Sequence, residues 1–317
     1  MIPRIVDNAL DRAVLPGYTR AGYRLRSRGW PDDDPRPGAL RGKTAIVTGG
    51  SSGLGKATAT GLARLGATVR LVVRDVARAE SAVADIRREV PGAELEVDCC
   101  DVSDLDDVER YAAGLDVDRL DVLVHNAGVM PPQRMETAQG HELTLATHVL
   151  GPLLLTELLR PALAGGRVVL VASGGMYTQS LPVGDPEFLS GEYRGATAYA
   201  RSKRIQVALT PLLASRLHND GIAVYAMHPG WADTPGLTTS LPLFTKLTRP
   251  LLRPPDEGAD TTVWLAATVP APPAGGFWHD RRSRPAHYLR RTRETEIDRL
   301  AIWDYCLAAA GLTGSRP

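Results

Sequence analysis

The sequence predicts an α/β fold, one doubly wound parallel sheet with helices on both faces. Three observations lead there. Short, continuous apolar runs recur along most of the chain, helical stretches lie between them, and a glycine-rich turn joins the first run to the first helix. Strands that are apolar throughout belong to sheets covered on both faces, and alternation with helices makes the strands parallel.

In order, Ala45-Ile46-Val47 reads as the first strand and Gly55 to Leu65 as the first helix. Thr68 to Val73 is the second strand and Val76 to Val90 the second helix. Glu94 to Val97, Leu120 to Val124, Arg167 to Ala172 and Ile222 to Met227 are further strands. Glu294 to Ala310 reads as a terminal helix. Ahead of this series, residues 1–40 form an arm and linker. Six arginines and an apolar set at helical spacing (Ile2, Ile5, Val6, Leu10, Val14, Leu15) occupy its first 30 residues, and Asp32 to Gly38 reads as a linker. Such an arm suits either a peripheral membrane contact or packing on the body of the protein or on a partner subunit, and one weak amphipathic turn binds membranes poorly. The body is expected over 41–280, and 281–317 forms a basic extension carrying Arg281, Arg282, Arg284, Arg290, Arg291 and Arg293. An anion site, a solvated face and a subunit contact all fit those arginines.

Composition narrows the function. The 317 residues are 44% apolar and 23% charged, with 37 Lys+Arg against 36 Asp+Glu. A net charge of +1 gives no global field for nucleic acid. Three cysteines, Cys99, Cys100 and Cys306, suggest neither a disulfide framework nor a metal cluster, and a reducing cytoplasmic setting fits them. No run reaches the ~18 apolar residues of a spanning helix.

Thr48-Gly49-Gly50-Ser51-Ser52-Gly53-Leu54-Gly55 lies between the first strand and first helix. Glycines permit the tight turn and close backbone approach, and the helix N-terminus offers free N–H groups to a pyrophosphate. After the second strand, Arg74 can pair with a 2′-phosphate, which favours NADP over NAD, while Asp75 could instead reach a ribose hydroxyl. Tyr199 and Lys203 stand at i and i+4 on one helix face, so the ammonium can lower the phenol pKa. A phenol so tuned gives a proton to a carbonyl oxygen as hydride arrives at carbon. Ser173, at the end of a strand, can donate a second hydrogen bond to that oxygen.

These motifs in this order resemble the short-chain dehydrogenase/reductase family over roughly residues 40–280. The resemblance implies a Rossmann-type sheet of seven strands and assigns catalysis to Ser173, Tyr199 and Lys203. It also gives Asp101 and Val102 to the adenine, Asn126-Ala127-Gly128 to the turn after strand four, and Pro229, Gly230 and Thr234 to the nicotinamide carboxamide. Tyr18 to Tyr23, Ser173 to Met176, His228 to Gly236 and Gly258 to Thr261 resemble a subgroup near the retinol-dehydrogenase-like enzymes, which use NADP on lipophilic carbonyls and alcohols. Homo-oligomers are common in the family.

Two positions depart from the family pattern. His148 stands where an asparagine helps hold a water chain behind the lysine, and His125 replaces another asparagine. His148 is expected either to take over the relay, exchanging a proton itself, or to satisfy a polar spot on a buried helix face. Residues 174–198, with Tyr177, Leu181, Phe188, Leu189 and Tyr193, are expected to wall a pocket, and Leu237 to Leu252 to form an apolar lid within 235–255, or else a plain helix core face. The sequence therefore predicts an NADP(H)-dependent oxidoreductase acting on a small lipophilic carbonyl or alcohol. The alternative is an NADP-binding regulatory or scaffold protein with turnover lost. A nucleotide-sugar epimerase is disfavoured, because its glycine spacing is absent.

Overall fold

The computed structural model describes residues 3–240 and 242–312. Its centre is a sheet of β1 Thr44–Thr48, β2 Thr68–Val73, β3 Leu95–Cys99, β4 Val122–His125, β5 Arg167–Val171, β6 Ala223–Met227, β7 Phe277–His279 and β8 Arg282–Arg284. The spatial order is β3-β2-β1-β4-β5-β6-β7-β8. The first seven run parallel, and β8 returns antiparallel to β7. The order reverses between β1 and β4, and in doubly wound sheets ligands bind at that switch, beyond the carboxyl ends of the strands.

Alternate residues of the apolar strands supply two separate cores. Ile46, Leu123, Val168, Leu170 and Val224 face α6 (Leu105–Gly114), α8 (Gly151–Leu158), α9 (Gly195–Arg216) and α13 (Glu296–Ala309). Val47, Val69, Leu71, Val124, Val169 and Tyr225 face α4 (Gly53–Arg64), α5 (Val76–Glu89) and α12 (Pro255–Ala267). Local signals set the helix starts. Asp75 accepts the Arg78 amide at the head of α5, Asp104 caps α6, and Thr295 with Asp298 forms a capping box on α13. Between β4 and α8, the short α7 (Leu143–Leu145) passes into a π-helical turn over Ala146–Leu150, which contains His148.

The arm packs on the body. Its helices α1 (Arg4–Arg12), α2 (Leu15–Tyr18) and α3 (Arg20–Ser27) bring Asp7, Asp11, Tyr18 and Arg26 into buried positions. Arg26 donates to Asp7 and Asp280 at 2.6 Å each, and Arg284 donates to Asp7 at 2.7 Å. The tail arginines are accordingly not one cationic patch. Arg281 forks onto Asp260 and Arg284 is buried against Asp7, whereas Arg290, Arg291 and Arg293 stay exposed. Asp11, His228 and His279 bring ligand-type atoms within 4.8 Å of one another. Burial first, and then the nearby Arg253 and Arg284, holds both imidazoles well below their usual pKa, and a cation there meets those guanidiniums.

The expected pocket wall differs in detail. Tyr177 turns into the core, donating to the Pro285 carbonyl and packing 4.4 Å from the Tyr288 ring, while Leu189 is exposed. The expected lid is two short helices, α10 (Pro235–Ser240) and α11 (Pro242–Thr248), with Leu243 and Leu247 exposed and Leu252 buried. Leu241 and the side chains of Leu237 and Phe244 lie outside the described residues. Ser240 on α10 donates to the Met130 carbonyl at 3.4 Å, which ties this segment to the loop after β4.

Candidate active site

The glycine turn is locked by contacts that no other residue fits. Gly49 has φ +67°, and a Cβ on it would lie 2.9 Å from the Ala127 Cα. A Cβ on Gly55 would lie 2.2 Å from the Gly49 carbonyl oxygen. Asn126 ties the neighbouring strand to this turn. Its Nδ2 donates to the Thr48 carbonyl at 2.9 Å, while the Thr48 hydroxyl accepts the Asn126 and Ala127 amides at 3.0 Å each. Thr48 sat inside the glycine motif, but nothing in the sequence marked its hydroxyl as the clamp. Ser52 precedes α4 without a side-chain cap, so the first-turn amides of this helix are open to an anion. Ser51 and Leu54 are half-buried, and Leu54 lies against Gly258 of α12. Thr234 closes the turn from the far side, 3.3 Å from where a Gly53 Cβ would stand. Pro229 and Gly230 precede it, and Gly230 adopts φ +74°. These residues form a cradle open to a dinucleotide.

At the outer end of the cradle, Arg74 is 61% exposed in its side chain and lies 3.4 Å from Asp101. Asp101 also accepts from the Ser103 amide and hydroxyl. Val102 is buried against α8: a Cβ on Gly151 would lie 1.8 Å from the Val102 carbonyl oxygen.

At the inner end, α9 carries Tyr199 and Lys203. Gly195 lets α9 start close to the loop after β4, since a Cβ there would lie 2.2 Å from the Pro131 carbonyl. Ser173 leaves β5 and accepts the Gly175 amide at 3.1 Å. Tyr199, half-buried, stands on the neighbouring α9. Burial pushes the Tyr199 phenol up, and the nearby Ser173 hydroxyl opposes this in part. This reverses the sequence expectation, because Lys203 is buried too. Its Nζ donates to the Val171 carbonyl at 2.7 Å and lies 5.6 Å from the Tyr199 ring centre. Burial lowers the Lys203 amine to about 7, so it carries only part of a charge at neutral pH.

His148 is fully buried and its chemistry is fixed by one contact. The Val129 amide donates to His148 Nε2 at 3.0 Å, so Nε2 must be unprotonated. The proton is then on Nδ1, which donates to Ser202 Oγ at 2.7 Å, and Ser202 donates to the Tyr199 carbonyl at 2.8 Å. Burial and the nearby Lys203 keep the ring far below its usual pKa. The ring is thereby held neutral and lies 5.2 Å from the Tyr199 ring, against the first turns of α9. The His148 carbonyl accepts from Gln206 at 2.6 Å. Ser202 and Gln206 were missed from sequence, although their spacing on α9 places them beside Tyr199 and Lys203. Gly128 passes close to the same ring, 3.1 Å from Nε2 at its Cβ position. His125 is structural: its Nε2 meets the Thr156 hydroxyl at 2.8 Å, and burial lowers it to about 3.

The sequence profile of the short chain dehydrogenase family matches residues 43–242. The chain belongs to the short-chain dehydrogenase/reductase family. Bovine (Bos taurus) dehydrogenase/reductase SDR family member 12 is 40% identical over 291 residues, covering 90% of this chain and 91% of that protein. Human (Homo sapiens) retinol dehydrogenase 14 is 34% identical over 307 residues, covering 87% of this chain and 88% of that protein. A crystal structure of a protein from Mycobacterium paratuberculosis superposes with a TM-score of 0.69 at 30% identity, covering 86% of this chain and 95% of that one. As a short-chain dehydrogenase/reductase, the protein belongs among oxidoreductases of alcohol and carbonyl groups that bind a nicotinamide dinucleotide, and the glycine cradle fits that cofactor. Among the described residues, no helix is long and apolar enough to cross a membrane.

Proposed function

We propose that this protein is an NADP(H)-preferring oxidoreductase interconverting a lipophilic carbonyl compound and its alcohol. The observation that carries the cofactor choice lies at the end of β2. Asp75 is engaged in capping α5, whereas Arg74 is exposed beside Asp101. A guanidinium there pairs with a 2′-phosphate; a free carboxylate would be needed to hold an unphosphorylated ribose. Exposed Leu243 and Leu247 on α11 suit an apolar substrate, as does likeness to a retinol dehydrogenase. The exposed Ile5 and Leu15 beside the arm's arginines suit a peripheral contact with an anionic lipid surface on the cytoplasmic side.

When bound, the nicotinamide ring supplies or accepts the hydride. Tyr199 gives its phenolic proton to the carbonyl oxygen, and its raised pKa keeps that proton in place at neutral pH. Ser173 donates a hydrogen bond to the same oxygen as charge develops on it. Lys203 holds the ribose, and an amine poised near 7 exchanges its proton readily to restore Tyr199.

The test is a titration with NADPH and with NADH, read by nicotinamide fluorescence, followed by aliphatic, retinoid and steroid carbonyls. Tighter NADPH binding with cofactor consumption by one carbonyl class is expected. Equal or tighter NADH binding overturns the cofactor choice, and binding without turnover across the panel favours a regulatory role.

A further inference from the structure

The arm reaches the site through one residue. Tyr18, at the end of α2, is 2% exposed. The edge of its ring fills the space above Gly174, where a Cβ would lie 2.6 Å from Tyr18 Cε2. Gly174 directly follows Ser173. The ring also packs on the ends of the next two strands: its centre lies 4.6 Å from the His228 ring, just after β6, and 5.1 Å from the His279 ring of β7. His228 directly precedes Pro229-Gly230. The Tyr18 carbonyl grips that same segment, accepting the Trp231 amide at 2.8 Å and Arg253 Nε at 2.9 Å. Gly230 passes so close that a Cβ on it would lie 2.7 Å from the Tyr18 oxygen.

We propose that Tyr18 is a positioning residue, a wedge that sets the separation between the Ser173-Gly174 turn and the His228-Pro229-Gly230 segment. The proposal rests on the oxidoreductase reading above, in which the first segment holds the substrate oxygen and the second holds the cofactor. A close-packed aromatic ring transmits position because interiors of this density do not deform smoothly. A reacting pair displaced by about 1 Å loses roughly 100-fold in rate. The contacts are made by the ring and the backbone carbonyl, so the phenolic hydroxyl is dispensable.

The test is a double-mutant cycle on Tyr18→Leu and Gly174→Ala, with Tyr18→Phe as the conservative variant. Each single change is expected to lower kcat at least about tenfold while the protein stays folded, and Tyr18→Phe to keep wild-type kcat. Joined, the smaller side chain makes room for the new methyl, so the double variant recovers part of the loss. A ring that only stabilises the fold gives losses in melting temperature without this kinetic recovery. Additive kinetic losses, or Tyr18→Leu within twofold of wild-type kcat, overturn the proposal while leaving an active wild type and its oxidoreductase reading intact. If the wild type binds cofactor but turns over no carbonyl, the cycle is read on the NADPH dissociation constant, where non-additivity supports the wedge and additivity overturns it. A wild type that binds neither cofactor overturns the functional reading, and the wedge with it. Should Tyr18→Leu not fold, Tyr18→Met takes its place in the cycle.

Discussion

The amide of Val129 donates to Nε2 of His148 over 3.0 Å, and this single bond fixes the tautomer of a buried imidazole beside Tyr199. The protonated nitrogen faces Ser202, and through Ser202 the ring holds the Tyr199 carbonyl. An asparagine at this position carries both an acceptor and a donor, as this histidine does.

His148→Asn is accordingly expected to retain most activity, and His148→Ala to lose it. Alanine leaves the Val129 amide and the Ser202 hydroxyl without their partner, at about 1–3 kcal/mol for each buried group. The pH dependence of kcat should keep its shape in His148→Asn, because the native ring is neutral throughout. An ionisation near 6.5 that vanishes in this variant would instead show that His148 titrates.

Lys203 makes stability depend on pH in a predictable direction. Its folded pKa of about 7 lies below the unfolded value of 10.5, so between these limits the unfolded chain binds more protons. Stability therefore rises with pH across that window. Compared with Lys203→Met, wild type should be the less stable protein near pH 7, and the gap in Tm should narrow towards pH 10. A gap independent of pH contradicts the buried amine.

Arg74→Ala should weaken NADPH binding about 10- to 100-fold and leave NADH binding nearly unchanged, from the loss of one charge-assisted contact. Equal weakening of both cofactors would place the guanidinium away from the 2′-phosphate.

Asp280 is buried between Arg26 and Arg253, each at 2.6 Å, and their charges hold its carboxyl below the ordinary value. Asp280→Asn leaves buried Arg253 without its carboxylate, while Arg26 keeps Asp7, and should cost about 3–5 kcal/mol, read by denaturant unfolding. In wild type this stabilisation is present above the unfolded pKa of 3.8 and is lost as pH falls through the lower folded value.

Much of the architecture was legible because β1, β2, β5 and β6 are apolar on both faces, so their composition alone signals burial. Tyr199, Lys203 and the glycine turn were legible for a different reason: the proposed chemistry needs those residue types at that spacing. β8 was not legible, since Arg282-Ser283-Arg284 reads as exposed, whereas it pairs with β7 and its Arg284 is buried on Asp7 from the far end of the chain. Tyr177 and Leu181 read as pocket lining because composition does not reveal which side of a loop faces inward. The phenol pKa was misread for a related reason: an ammonium four residues away tunes a phenol only if it is charged, and burial removes much of that charge from Lys203.

The ion pair between Asp7 and Arg284 spans 277 residues of chain. On a ribosome adding about 5–20 residues per second, Asp7 waits roughly 14–55 s for its partner to be made. Until then Asp7 has Arg26 of the same arm as a partner, and the Tyr18 carbonyl has Trp231 and Arg253. The last ion pair of the arm therefore closes only once β8 has been made.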